Sequence, residues 1–172
     1  MAGYVVISTD GTMVGYPEPP TLARIDAAVG PEGWARVRLD HGLAGFVNDS
    51  GFLLPDTYPR NPVGACLLAA FGAGLQPYAG PVVVTGWDAT PRAGSEIRPF
   101  TETQQTAVSV AHGHVVRVLA DRDVPAGVTE EAAAGIRAYA GFVRSAPAPE
   151  LQSVPVETLE ELGRIVGSGR RG

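Results

Sequence analysis

Apolar residues in the first half of the chain fall in short runs punctuated by turn residues, which is the pattern of strands. Tyr4-Val5-Val6-Ile7 is rich in β-branched side chains and is closed by Thr9-Asp10-Gly11, and Met13 to Tyr16 resumes beyond it; the pattern predicts two strands joined by a tight turn. Pro17, Pro19 and Pro20 then end the pairing, because proline has no amide to donate to a ladder. Thr21 is suited to cap a helix, and Leu22, Ile25, Ala28 and Val29 recur at helical spacing until Gly30 stops it. In Trp34-Ala35-Arg36-Val37-Arg38-Leu39 the arginines alternate with apolar residues. This predicts a strand with one face toward the core and the other toward solvent or a partner. Leu43 to Val47 and Phe52 to Leu54 flank Asn48-Asp49-Ser50-Gly51, residue types that accept positive φ and bond their own backbone, so a hairpin is expected there.

Helical spacing takes over further on. Asn61-Pro62 places a cap and a first-turn proline ahead of an apolar run through Leu67, Leu68 and Phe71, with Gly72 and Gly74 as stop signals. A helix apolar on all sides belongs inside the core. Pro81-Val82-Val83-Val84-Thr85, between Gly80 and Gly86, reads as a strand buried on both faces. Thr101 and Gln104 form a capping box ahead of Ala107, Val108 and Val110. Gly113 then leaves His114 to Leu119 open between strand and continued helix. Thr129-Glu130-Glu131 opens an alanine-rich helix toward Val143 and Arg144, with acids in its first turn, where the helix dipole favours them.

These elements make an α+β fold: a small mixed or antiparallel sheet packed by helices, with a helical C-terminal extension. The expected division is a core over residues 1–90, a helical or mixed extension over 91–145 packed on it, a Pro/Ala linker over 146–155, a helix over 156–166 and a disordered tail over 167–172. Val156, Leu159, Leu162 and Val166 share one stripe of that last helix, which makes a homodimer through it an expected partner arrangement.

Charge narrows the chemistry. The net charge is −5, with acids scattered rather than blocked, so neither a nucleic-acid binder's basic patch nor a DNA mimic's acidic stripe is present. All 13 basic residues are arginine, which excludes a P-loop lysine or a Schiff base. No cofactor is implied. The single cysteine, Cys66, has no internal disulfide partner and sits in the apolar helix, where a thiol is desolvated and unreactive. Without a basic leader or a run long enough to span a bilayer, no membrane partner is expected and the cytoplasm is the expected location.

The order of parts from Val37 to Gly86 carries a resemblance. A strand ending in Val47-Asn48-Asp49, then Gly51, a Leu54-Pro55 step, Asn61-Pro62 opening an Ala/Leu helix, and Gly80-Pro81-Val82-Val83-Val84-Thr85-Gly86 resemble the domain-of-unknown-function family three-eight-four-six. Members of that family occur in phages and in actinobacterial plasmids and genomes, sometimes near antirestriction genes. The resemblance implies a mobile-element accessory setting and supplies no catalytic residue to carry over.

Candidate sites remain few. Arg60, Asn61, Trp87 and Asp88 would converge on a cleft at the end of the buried strand, although Asn61 also reads as a plain helix cap. Trp34, Arg36 and Arg38 would form a stacking and phosphate-binding face, or simply a solvated strand face. His112 and His114 would offer two imidazoles to a metal if extended, with Asp121 or Asp123 as third ligand. No recognised ligand spacing accompanies them, so solvated histidines and no metal are expected. Gly72-Ala73-Gly74 with Gly80 follows a helix rather than opening one, and so is a stop signal rather than a phosphate loop. The reading that emerges is a non-enzymatic binding or adaptor protein acting through protein contacts. A small enzyme or nucleotide- or metabolite-binding protein with a cleft near Asn61 and Trp87 is one alternative, and a weak nucleic-acid binder through Trp34, Arg36 and Arg38 is another.

Overall fold

The central strand of the sheet is its most apolar segment, and the fold is arranged to cover it. The structure is a computed structural model that describes residues 1–90, 96–120 and 124–149. Strands β1 (Tyr4–Ile7), β2 (Met13–Tyr16), β3 (Trp34–Arg38), β4 (Leu43–Asn48) and β5 (Val82–Trp87) form an antiparallel sheet in the order β2-β1-β5-β4-β3. The short β6 (Ile97–Arg98) pairs with Gly86 and Trp87 of β5, in line with β1. Val82 to Gly86 are all buried, so β5 is covered on both faces as its unbroken apolar run requires.

One face of the sheet carries Val5, Ile7, Leu43, Val47, Val82 and Val84. It packs against α2 (Pro62–Ala70), α3 (Glu102–Ala120) and α4 (Glu130–Ser145). Val108, Val115, Ala140 and Val143 of the last two helices line that same core, and the Phe100 amide bonds Gly3 O at 3.1 Å, so residues beyond 90 complete the sheet and its packing. The other face carries Tyr4, Ala44, Phe46 and Val83 and is covered by a single short helix, α1 (Leu22–Val29), through Ile25 and Val29. Eight residues span about 12 Å, too little to cover a five-strand width, and the far part of that face stays open.

Most predicted starts and stops match their physical cause. Thr21 and Thr129 cap α1 and α4 through their side-chain oxygens. Thr101 and Gln104 form a reciprocal box, each amide donating to the other's side chain at 3.0 and 3.2 Å. One expectation needs correction. The hairpin expected around Asn48-Asp49-Ser50-Gly51 does not form: Asn48 Oδ1 accepts from Ser50 N at 3.0 Å, and Gly51–Leu53 turns into a 3₁₀ helix instead of a strand. The hairpin partner of β4 is β3, joined through His41 and Gly42, which both take positive φ. The stretch left open after Gly113 is helical, because α3 runs through it to Ala120. The expected 156–166 helix, the 167–172 tail and the homodimer contact assigned to them lie outside the described residues. Among the described residues no helix is long and apolar enough to cross a membrane.

Asn61 locks three elements together. Its Oδ1 accepts from Gly64 N at 2.8 Å and so caps α2, while its Nδ2 donates to Ile7 O of β1 at 3.0 Å and to Gly80 O before β5 at 2.9 Å. The side chain is fully buried. Asn61→Ala therefore removes three buried hydrogen bonds at once, the cap to Gly64 N and those to Ile7 O and Gly80 O. Denaturant melts should show a loss of about 3 kcal/mol, against about 1 for a cap alone, and a loss no larger than a cap's would show that the two carbonyls find other donors.

Candidate functional site

The open part of the α1-covered face collects most of the charged and aromatic candidates. Trp34, Arg36 and Arg38 alternate along β3 and point to this face, and Trp87 reaches it from the end of β5. Trp34 meets Phe46 edge-on, with centroids 5.3 Å apart. The Arg36 guanidinium lies over the Trp87 ring, Cζ 4.3 Å from its centroid, and Nη1 reaches Glu96 Oε2 at 3.5 Å. Asp88 and Arg98 pair beside them, Oδ2 to Nη2 3.6 Å. Both pairs are substantially exposed, so each adds little stability.

Two depressions share this arrangement. One, of about 580 Å³, is lined by Leu22, Trp34, Phe46, Trp87 and Ile97 together with the Arg36 and Glu96 pair. The other, of about 640 Å³, runs past Arg36, Arg38, His41, Trp87 and Asp88. Leu22, on the open side of α1, is 52% exposed. Trp87 is positioned by the backbone on both sides, its amide donating to Gly42 O while the Asp88 amide donates to Glu96 O, each at 2.8 Å.

Arg60 and Asn61 are not part of this site, which corrects the cleft expected from Arg60, Asn61, Trp87 and Asp88. Asn61 bonds Gly80 at the start of β5 and Trp87 ends it, a separation of about 20 Å along the strand. Arg60 is committed elsewhere: Nη1 donates to Pro77 O at 3.0 Å and Nη2 to Ala146 O at 2.9 Å, tying the end of α4 to the loop after α2. His112 and His114 fall on a helix two residues apart and so face different directions. His112 Nε2 lies 2.9 Å from Gly11 O. Among the described residues no group of three His, Cys, Asp or Glu is placed to hold a metal ion; Asp121 and Asp123 lie outside them. Cys66 is buried beneath α4, and desolvation pushes its thiol up to about 11, away from nucleophilic use.

Glu96, Leu22 and Ile97 were not legible as site residues. Leu22 looked like any helix position, and a two-residue strand carries no periodic signal. A polar cluster at the end of β4 was also missed. Asn48 Nδ2 donates to Val29 O at 3.0 Å and to Glu32 Oε2 at 3.1 Å, and the Tyr58 hydroxyl donates to the same Glu32 oxygen. It ties the end of α1 to the sheet. No family model, no curated protein and no solved structure matches the chain.

The Glu32 cluster gives a pH dependence with a defined sign. The Tyr58 hydrogen bond holds the Glu32 carboxyl below its ordinary 4.5 and outweighs the opposing desolvation, with Asn48 adding to it. A carboxyl lowered on folding contributes stability above its unfolded value and loses it as pH falls. Glu32→Gln should thus be less stable than the native protein in urea melts at about pH 7, and the gap should narrow at about pH 3; a gap that persists there would mean that the carboxylate charge is not what matters.

Proposed function

We propose that the protein is a non-enzymatic binding or adaptor module acting through protein contacts, and that the contact surface is the open sheet face around Leu22, Trp34, Arg36 and Trp87. The observation that carries this reading is the Arg36 guanidinium stacked on Trp87 beside an exposed leucine and a half-buried tryptophan. Tryptophan and arginine dominate the energetics of protein interfaces, because they bury large areas while keeping a polar handle. Two of the three arginines here are matched, Arg36 by Glu96 and Arg98 by Asp88, which leaves Arg38. A phosphate backbone would meet little uncompensated positive potential on a chain of net charge −5. A cytoplasmic phage or mobile-element setting fits the resemblance of Val37 to Gly86.

Affinity capture from a native host with quantitative mass spectrometry tests the assignment. A partner held by the native protein should be lost by about tenfold or more with Leu22→Glu and with Arg36→Glu, and retained by Val110→Glu, a control at an exposed position of α3. Equal capture by all four proteins would move the contact surface elsewhere. Salt-sensitive submicromolar binding of DNA or RNA that Arg36→Ala and Arg38→Ala abolish would replace the protein-contact reading with the nucleic-acid one.

A further inference from the structure

β3 is the last strand of the sheet, and its backbone shows what fits beside it. The Asp49 amide donates to Gly33 O at 3.2 Å, which makes residues 33 and 49 a hydrogen-bonded pair. Two residues on, the bonded pairs are Ala35 with Val47 and Val37 with Gly45. The intervening Trp34, Arg36 and Arg38 therefore turn their amides and carbonyls away from β4. No other segment among the described residues bonds to them. Such a row of alternating donors and acceptors is a template for another extended backbone.

The space beside this edge is already shaped. A groove of about 590 Å³ is lined by Ala35, Arg36, Val37 and Arg38 of the strand together with Asp40 and the Gly74, Gln76 and Tyr78 segment. Gly74 presents no side chain, and the space where one would stand is empty. Five residues of β3 offer about 17 Å of edge. The opposite edge of the sheet offers less. Ser8 N donates to Thr12 O, so only Met13 and Gly15 of β2 face outward before Pro17.

Side-chain chemistry selects the occupant. A strand added to β3 lays one set of alternate side chains beside Trp34, Arg36 and Arg38, and the other set beside Ala35 and Val37 in the groove. Arg38 has no ion-pair partner among the described residues. A second copy of β3 is disfavoured, because antiparallel pairing along its whole length sets Arg36 opposite its own copy. From this we infer that the outer edge of β3 binds an extended segment of a partner protein in which acidic residues alternate with small apolar ones. The inference rests on the protein-contact reading and gives the partner a backbone conformation and a charge pattern.

The probe is an end-blocked peptide of five Glu-Val repeats, titrated onto the full chain and followed by amide hydrogen exchange and tryptophan emission. Saturation should slow exchange at Trp34, Arg36 and Arg38 by about tenfold or more. The same peptide N-methylated at alternate amides should lose binding, since it keeps every side chain but cannot complete the ladder. Five Arg-Val repeats should not bind. Arg38→Gln should weaken binding through charge alone. Arg38→Pro should weaken it further by removing an outward amide, in a position where edge strands accept proline; a thermal melt confirms that it folds. Absence of saturable binding, or protection confined to other residues, overturns the edge site and leaves the protein-contact reading to the capture experiment. Equal binding of the N-methylated peptide, lost in Leu22→Glu, also overturns edge pairing while supporting contact through the open face.

Discussion

Burial of β5 is the constraint on which the rest of the structure depends. Val82, Val83 and Val84 have almost no exposed surface, and β5 is paired on both edges, with β4 on one side and β1 followed by β6 on the other. Each valine kept from water contributes about 2 kcal/mol, but only if both faces are covered at once. α2 supplies cover on one side, and it can do so because it is apolar all round and starts where Asn61 pins it to the strand. α1 supplies the other with few residues. The asymmetry between a three-helix layer and a one-helix layer leaves the sheet half open.

That half-open face explains why the candidate residues sort as they do. Trp34, Arg36 and Arg38 lie on the last strand of the sheet, where α1 packs on Trp34 and leaves Arg36 and Arg38 exposed, and Trp87 lies at the end of the strand whose middle must be buried. Trp34 packs edge-on against Phe46, and Trp87 stands opposite Ile97 of β6. Arg60 and Asn61, equally prominent in the sequence, are consumed by backbone bonds that hold β1, β5 and the end of α4 in place.

Much of the fold was legible because its signals are local. Caps at Thr21, Asn61 and Thr129, and the alternation in β3, each state their structure within a few residues. The failed hairpin marks the limit of such signals. Asn48-Asp49-Ser50-Gly51 has hairpin chemistry, yet Asn48 spends its amide on Val29 and Glu32, contacts that depend on where α1 docks. The site was legible only in part for the same reason. Trp34 and Arg36 announced an exposed face, but joining them to Trp87 and Glu96 required knowing that β4 and β5 lie side by side and that β6 continues the line of β1.

The sheet order also bears on inheritance. The stretch from Val37 to Gly86 contains β4, α2 and all but the last residue of β5, but neither β1 nor β6. Taken alone, it would leave one whole edge of the most apolar strand unpaired, and an open apolar edge recruits other chains. That stretch is therefore not a unit that recombination can move by itself. Tyr4–Ile7 must travel with it, and any exchange of coding sequence that yields a soluble product has to fall outside both.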